Sequence, residues 1–359
     1  MIRIDELYNN IFLQRLQVRP LHGLHWFDPF GSVKFEDLCS VPPVPWDEGS
    51  VRYLFWDQEP LHRATVDTTL PRFKAMYNGR HHIITSEYNS AAVDYVVDTY
   101  GFEPHYYFFH GWAALDWFRG YNRTFLMQPY AERRIRHTFV APNRIVAGER
   151  EHRLIMLYHI FRNNMHTNHI SCPLICPAEN ISVLDAVRPL ANKYPDIAEV
   201  FANTQFPKEF VGEANAPMHS YQLDLFTECS ESLLYLVTET VAAGRRQHLT
   251  EKTFKPIALK MPFVVVSTAH SLAYLKSYGF RTFDHLWDET YDTIEDDHER
   301  YAAVARTLRD IDELPTRCKQ RLLREAEAVC EHNYQHFYSG GFESVLWAEL
   351  TAMLQELER

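Results

Sequence analysis

The chain has 359 residues, of which 46% are apolar and 23% charged, and its formal net charge is −11. This length predicts two domains of ordinary size, and this composition excludes a disordered or low-complexity protein. The acidity excludes a general nucleic-acid coat protein. The first 140 residues are nearly neutral, however, and could still present a local basic groove.

The sequence also bounds the compartment. The segment 1–6 has no basic n-region and no apolar h-region, so we expect no signal peptide. No apolar run approaches the length of a membrane span, and we expect no membrane insertion. The six cysteines are scattered without a disulfide-framework pattern, which is typical of reduced thiols in a cytoplasmic protein.

Three strands are predicted in the first half, each with polar residues at its carboxyl end. They span residues 51–56, 82–87 and 105–112, and a helix over 90–99 that closes at Gly101 follows the second. In an open α/β sheet, ligands bind at the carboxyl ends of the strands. The sequence therefore predicts a Rossmann-like sheet whose functional edge carries Asp57, Glu59, Glu87 and His110.

Each of these four residues is a candidate for the acid–base chemistry of the site. Asp57 and Glu59 are predicted to act as general base and to orient an acceptor, or else to form a turn before Pro60. Glu87 is a candidate for the same roles. His110 is an alternative base as a neutral imidazole, or else a hydrogen-bonded core histidine.

The second half repeats the α/β plan and ends in helices. Strands are predicted over 137–141, 233–237 and 263–266, and helices over 151–163, 271–278, 295–308 and from about 319 onward. Residues 165–220 are predicted to be loop-rich with one or two helices. We place domains at 1–136 and 137–325, with C-terminal helices at 326–359 returning toward the first domain.

The stretch from Thr250 to Val266 predicts a turn, a short helix and a buried strand. Thr250 is a plausible N-cap, and Glu251 and Lys252 then lie at the helix N-terminus. A carboxylate there can accept ribose hydroxyls, while an ammonium and the helix dipole can hold phosphate. Pro256 predicts that this helix is kinked or begins near the proline.

These motifs resemble the GT-B glycosyltransferases. The Thr250-Glu251-Lys252 turn, preceded by a strand ending in Glu239, is similar to the donor motif of the fucosyltransferase-like branch. Ser86-Glu87, His110-Gly111 and Pro142-Asn143-Arg144 resemble segments of phage-encoded sugar transferases of that branch. The resemblance covers roughly residues 50–310 in patches, and it implies two Rossmann-like domains that face a central cleft.

The resemblance also implies residue roles. The second domain would hold a nucleotide-sugar donor, with Glu251 on the ribose, Lys252 and Arg144 on the diphosphate, and Glu239 lining the sugar or ribose pocket. Thr250 and Arg153 complete the predicted donor-binding set. On the first domain we predict that Trp112 and Arg119 bind the acceptor, by stacking and by charge.

No metal and no further cofactor is expected. Cations must neutralise a diphosphate leaving group, and Lys252 and Arg144 are predicted to do so in place of a metal ion. The only Asp-x-Asp match is Asp310-Ile311-Asp312, which is typical of a solvated helix face. A zinc site is weighed at His166, His169, Cys172 and Cys176, but that spacing matches no standard pair of knuckles and favours a plain loop.

The sequence thus predicts a cytoplasmic hexosyl or pentosyl transferase that needs no metal, in the host cytoplasm if it is phage-encoded. Its partners would be a nucleoside-diphosphate sugar and a polymeric acceptor. We favour a hydroxymethylated base in duplex phage DNA as the acceptor, and a cell-surface or other glycan is the alternative. A nucleotide-sugar-binding protein without turnover, or an epimerase that needs no acceptor, stays open.

Overall fold

The computed structural model describes residues 24–27, 36–37, 51–56, 59–121, 130, 132–208, 210 and 223–357. The chain divides into two compact units, here called unit 1 (1–113, 245–248 and 343–359) and unit 2 (114–244 and 249–342). Both are mixed α/β structures with parallel strands, an architecture compatible with Rossmann-like folds. Within the described ranges, no helix is both long and apolar enough to cross a membrane.

Eleven strands are described, several of them only two residues long. They are β1 (Leu24–Phe27), β2 (Glu36–Asp37), β3 (Val51–Trp56), β4 (Arg80–Thr85), β5 (Glu103–Tyr106), β6 (His137–Ala141), β7 (His169–Ile170), β8 (Ile175–Cys176), β9 (Ile181–Ser182), β10 (Ser232–Thr238) and β11 (Phe263–Val266).

The α-helices described are α1 (Arg63–Met76), α2 (Ala91–Tyr100), α3 (Phe109–Phe118), α4 (His152–Arg162), α5 (Val183–Ala186), α6 (Ile197–Ala202), α7 (Phe226–Glu231), α8 (Glu251–Ala258), α9 (Ser271–Ser277), α10 (Asp297–Asp312), α11 (Thr316–Tyr338) and α12 (Gly341–Leu357). Short 3₁₀ turns lie at Arg119–Tyr121, Gly148–Arg150, Arg188–Asn192 and Thr290–Thr293.

The sheet of unit 1 has the strand order β2-β1-β3-β4-β5. All neighbouring strands are parallel except the β1–β2 pair at the edge. Leu54 and Ile83 form a buried core with residues of the two following helices, including Leu70, Phe73 and Val96. Ser90 caps α2 by accepting from the Ala92 N–H, and Gly101 ends that helix in the left-handed conformation, as the sequence predicts.

The sheet of unit 2 has the strand order β11-β10-β6-β7, and all its strands are parallel. After β6 the chain adds β7 on one side, and later β10 and β11 on the other. The strand order therefore reverses between β6 and β10. In α/β sheets such a switch point opens a crevice at the carboxyl ends of the strands, where ligands bind.

Apolar packing fixes α8 in unit 2. Phe254 is fully buried, and its ring stacks on Phe337 and Phe342 and meets Phe280 edge-on. Burying such a side chain contributes roughly 2–3 kcal/mol relative to leaving it exposed. The first turn of α8 is thereby held at a defined position.

Most predicted elements are confirmed, and one strand prediction is wrong. The predicted strands at 51–56, 137–141, 233–237 and 263–266 correspond to β3, β6, β10 and β11. The strand predicted over 105–112 ends at Tyr106, and α3 begins at Phe109. The aromatic run is buried on all sides of this helix, so neither a period of two nor one of 3.6 is visible in it.

The second correction concerns Pro256. Helix α8 begins at Glu251 with Thr250 as its N-cap, and Pro256 lies inside it. A start near Pro256 is therefore wrong. The early start is supported by the cap and by the buried Phe254, which together offset the one amide hydrogen bond that proline cannot make.

Candidate functional site

The carboxyl ends of β6 and β10 place the Pro142-Asn143-Arg144 turn beside the end of β10. Thr238 Oγ1 donates a hydrogen bond of 3.0 Å to Asn143 Oδ1 across the two strands. Ser171 Oγ accepts from the Asn143 N–H at 2.8 Å, which fixes the turn from the other side. Arg144 is only half-buried at this position, and its Nη1 makes no hydrogen bond to any residue in the described ranges.

Glu239 follows β10 and is fully buried, with its carboxylate joined to the start of α8. It accepts hydrogen bonds from the Thr250 N–H at 3.0 Å, the Thr250 hydroxyl at 2.6 Å and the Thr253 hydroxyl at 2.6 Å. A further bond of 3.2 Å comes from the Thr240 N–H. The carboxylate therefore anchors the α8 amino terminus to the end of β10. Its predicted role in lining a sugar or ribose pocket stays a prediction.

Glu251 and Lys252 lie in the first turn of α8, as the sequence predicts. Lys252 Nζ is 2.8 Å from Glu251 Oε1, 3.1 Å from Thr240 Oγ1 and 3.4 Å from Thr250 Oγ1. The Lys252 side chain is 26% exposed and that of Glu251 7%. Because an ammonium group offers three hydrogens, these bonds orient Lys252 beside the first-turn N–H groups. The arrangement combines a fixed cation with a helix dipole, which suits an anion.

Two basic side chains of α4, those of His152 and Arg153, contact the backbone at the end of β10. His152 Nε2 is 2.9 Å from the Glu239 backbone oxygen, while Arg153 donates to the backbone oxygens of Ile145, Thr238 and Glu239. Burial, followed by the charge of Arg153, lowers the pKa of His152 to about 3, and Lys252 acts in the same direction. Burial, followed by Arg150, lowers the pKa of Arg153 to about 10. Several positive charges therefore act on this end of the sheet.

Arg153 is placed differently from a typical ligand-binding arginine. It is 5% exposed, and Nη1 and Nη2 both donate to backbone carbonyl groups of unit 2. This geometry fixes the Pro142–Arg144 turn and the end of β10. Its predicted contact with the donor stays a prediction. The hydrogen bonds that Arg153 donates position the backbone at Glu239 and next to Arg144.

In unit 1, Glu87 has a position similar to that of Glu239. It follows β4, its side chain is fully buried, and Oε1 accepts from the Leu61 N–H at 2.6 Å. Oε2 accepts from the Ser90 hydroxyl in a short hydrogen bond. Arg246 Nη1 lies 3.2 Å from Oε1 and supplies the balancing charge.

The segment 245–248 brings basic residues to unit 1 that the sequence interpretation missed. Arg245 pairs with Asp94, and Gln247 forms a backbone bridge with Tyr88. His248 packs edge-on against His110, with ring centroids 5.0 Å apart. The structure thus brings Glu87 and His110 to one short segment. The available signal was the Arg-Arg-Gln-His run directly before the Thr250 motif.

Of the other predicted residues in unit 1, the structure describes Glu59, His110 and Trp112, and His110 reaches the 245–248 segment from helix α3. Asp57 lies outside the described residues, and the Glu59 backbone oxygen accepts from Trp56 Nε1 at 3.1 Å. His110 and Trp112 lie on α3 and not at a strand end, and Trp112 is buried against Trp347. The side chain of Arg119 in unit 2 is 57% exposed, 3.5 Å from Asp116.

Several of the sequence positions considered for metals contact other side chains. Asp310 pairs with Arg309, whereas Asp312 accepts from the Asn168 side chain at 3.1 Å. Cys176 Sγ is 2.7 Å from Glu179, and the five described cysteines are free thiols. Within the described ranges, two other groups have three possible ligand atoms close together. They are His82, Glu103 and His105 in unit 1, and His137, His169 and Glu231 in unit 2.

Protein families, curated proteins and solved structures give no match to this chain.

Proposed function

We propose that this protein is a glycosyltransferase that moves a sugar from a nucleotide-sugar donor to an acceptor hydroxyl without a catalytic metal. The observation that supports this most directly is the position of Glu251 and Lys252 in the first turn of α8, at the switch point of the unit 2 sheet. Helix amides, a fixed ammonium and a carboxylate at such a crevice suit a nucleoside diphosphate.

The roles of the donor-binding residues follow from their charges. Lys252 and Arg144 would hold the diphosphate and neutralise it as it leaves, and Glu251 would accept the ribose hydroxyls. In the transfer, the acceptor hydroxyl gives its proton to a base, and its oxygen bonds to the anomeric carbon. The bond from that carbon to the phosphate oxygen breaks, and the nucleoside diphosphate departs.

In a GT-B arrangement the acceptor belongs to the other domain, which we assign to unit 1. Asp57, Glu59, Glu87 and His110 are the candidate bases. Glu87 accepts bonds from Leu61 and Ser90 and pairs with Arg246, and a base at this position would have to exchange one of these contacts for the acceptor hydroxyl. We favour a hydroxymethylated base in duplex DNA as the acceptor and keep a glycan as the alternative.

The donor site is tested by thermal shift with a panel of nucleoside diphosphates, without added metal. A bound diphosphate stabilises the folded state, by about 2.7 kcal/mol at a hundredfold excess over Kd. We expect Lys252→Met to weaken binding roughly tenfold to a hundredfold, because one charge-assisted bond is lost. Lys276→Met, on the exposed Lys276–Asp284 pair of α9, is the matched control and should bind as the wild type.

The predicted ribose contact gives a second readout. The wild type should bind ribonucleoside diphosphates more tightly than their 2′-deoxy forms, and Glu251→Ala should narrow that difference. If no diphosphate stabilises the protein, or if Lys252→Met binds like the wild type, the donor assignment is wrong.

Turnover and acceptor are tested by release of nucleoside diphosphate from its sugar. Release should need an acceptor, and it should persist without added Mg²⁺ or Mn²⁺. Hydroxymethylated duplex DNA and a glycan panel separate the two acceptor classes, and absence of DNA binding at low salt would eliminate the DNA acceptor. Turnover without an acceptor would indicate an epimerase. Binding without turnover would indicate a nucleotide-sugar-binding protein. If Asp57→Asn, Glu59→Gln, Glu87→Gln and His110→Ala all keep full activity, none of the four residues is the catalytic base.

A further inference from the structure

A second chemically distinctive cluster lies at the amino end of the unit 2 sheet. His137 is the first residue of β6, His169 the first of β7, and Glu231 the last of α7, directly before β10. One nitrogen or oxygen atom from each side chain lies within 4.8 Å of the others. The three residues are half-buried.

Hydrogen bonds fix which imidazole atoms can serve as ligands. His137 Nδ1 is 2.8 Å from the Thr167 backbone oxygen, which can only accept, so Nδ1 carries the proton. The lone pair of His137 is therefore on Nε2. A carbonyl bond to the distal nitrogen is how metal-binding histidines are usually oriented.

The other two side chains leave their facing atoms available. His169 Nε2 is buried and makes no hydrogen bond to any residue in the described ranges, and it lies 4.0 Å from Glu231 Oε2. Glu231 Oε1 is held at 3.0 Å by Arg136. One oxygen of Glu231 is thus positioned by a cation, while the other lies near His169 Nε2.

The His82, Glu103 and His105 cluster of unit 1 has the same residue types but a different geometry. His82 Nδ1 is 2.8 Å from His105 Nε2, and the two rings are stacked with an interplanar angle of 3°. These facing nitrogens share a hydrogen and satisfy each other. His82 Nε2 lies 3.6 Å from Glu103 Oε2, as His169 Nε2 lies near Glu231, but the shared hydrogen leaves neither facing nitrogen with a free lone pair, and this cluster serves as an internal control.

We propose that His137 Nε2, His169 Nε2 and one oxygen of Glu231 bind Zn²⁺, with water at the fourth position. Two imidazoles and a carboxylate form a donor set that zinc accepts in tetrahedral geometry. At zinc–ligand distances of about 2.0–2.1 Å, the ligand atoms lie roughly 3.3 Å apart. Small side-chain rotations of these half-buried residues would close the remaining distance.

The ion would lie far from the predicted nucleotide site. Glu231 precedes β10 and Glu239 follows it, so at about 3.3 Å per residue the cluster lies roughly 26 Å from the nucleotide site. The ion would join β6, β7 and α7 at the edge opposite the predicted chemistry. This proposal is independent of the proposed function.

The test is zinc binding by the full chain after removal of metal with a chelator. The wild type should bind one tight equivalent of Zn²⁺ and should show a higher Tm with zinc than without it. We expect His137→Ala, His169→Ala and Glu231→Gln each to weaken that equivalent at least tenfold and to lose the zinc-dependent rise in Tm. Co²⁺ in place of Zn²⁺ should give visible absorption bands of a tetrahedral site in the wild type and not in these three variants.

Two matched controls separate ligation from other effects. Arg136→Gln removes the cation that positions Glu231 and keeps all three ligands, so the tight equivalent should remain and should weaken less than in His169→Ala. His105→Ala alters the control cluster and should leave the tight equivalent unchanged. Circular dichroism verifies that each variant is folded before zinc is added.

The proposal is overturned if the folded wild type binds no tight equivalent, or if zinc binding is the same in His169→Ala and the wild type. It is also overturned if His105→Ala removes the tight equivalent, because the site would then lie in unit 1.

Discussion

Two glutamates that follow strands, Glu87 in unit 1 and Glu239 in unit 2, show how similar sequence patterns can be stabilised differently. Each is buried and accepts a hydrogen bond from the hydroxyl that caps the next helix, Ser90 in α2 and Thr250 in α8. The balance of charge differs. Glu87 faces Arg246 at 3.2 Å, whereas Glu239 is surrounded by hydroxyl and amide hydrogens.

The difference shows what a carboxylate at a strand end can be used for. Removing an ionised group from water is costly, so its oxygens must be satisfied by the protein or by a ligand. In both units the oxygens first hold the next helix in place. At the start of α8 the further charge is that of Lys252, which pairs with Glu251 at 2.8 Å and keeps 26% of its side chain exposed to solvent.

Of the substitutions that test this comparison, Glu239→Ala is expected to cause the largest loss of stability. The change leaves the Thr250 amide and two threonine hydroxyls buried without their acceptor, and we expect a loss of roughly 4 kcal/mol in the free energy of unfolding. Glu87→Ala should cost less, about 2–3 kcal/mol, because Arg246 is 22% exposed and can be rehydrated. Urea unfolding of both variants measures the difference.

Glu199→Ala, at an exposed glutamate of α6, is the matched control and should change the unfolding free energy by less than about 0.5 kcal/mol. Equal losses of unfolding free energy for Glu239→Ala and Glu87→Ala would show that the two carboxylates stabilise the protein equally, and this would contradict the expected difference.

A second, smaller effect concerns the pH dependence of unit 2. The folded-state pKa of His152, about 3, lies below the ordinary value of 6.5. Between these values the unfolded chain binds more protons, so stability falls as the pH drops below about 6.5 and is unaffected by this group above pH 7. The expected slope from one histidine is at most about 1.4 kcal/mol per pH unit.

His152→Gln should flatten this slope in urea titrations between pH 7 and pH 4. If His152→Gln keeps the wild-type slope, the acid sensitivity arises elsewhere.

The smallest expected effect is at the helix caps. Ser90→Ala removes both the bond to Glu87 and the cap on the Ala92 N–H, and we expect a loss of about 1–2 kcal/mol. Asp296→Ala, at the N-cap of α10, removes a cap that has no buried carboxylate behind it and should cost less. If the two substitutions have equal effects, the Ser90–Glu87 bond adds no measurable stability.

Local patterns in the sequence predict much of this fold. Apolar runs bounded by polar residues predict β3, β6, β10 and β11, and the Thr250 cap predicts α8. The misassigned region at 105–112 is an aromatic helix buried on all sides, where burial removes the periodicity on which a helix prediction depends. Where one face of an element meets solvent, the sequence carries a clearer signal.

The site is only partly predictable for a different reason. The Glu251–Lys252 pair is local, and its chemistry can be inferred from adjacent residues. The Glu87–Arg246 pair joins residues 159 positions apart, and the His137–His169–Glu231 cluster likewise joins distant stretches. Local spacing around His169 suggests Cys172 and Cys176 as partners, whereas the fold supplies His137 and Glu231.

The composition of unit 1 has a consequence for the order in which the molecule can form during synthesis. Residues up to Ala113 leave the ribosome long before Arg246, and longer still before Glu349, which accepts from the Phe108 N–H. Unit 2 is nearly continuous in sequence and can form as its residues emerge. The core formed by residues 54–102 can pack early, but unit 1 is completed only after residues 245–248 and 343–359 have been synthesised.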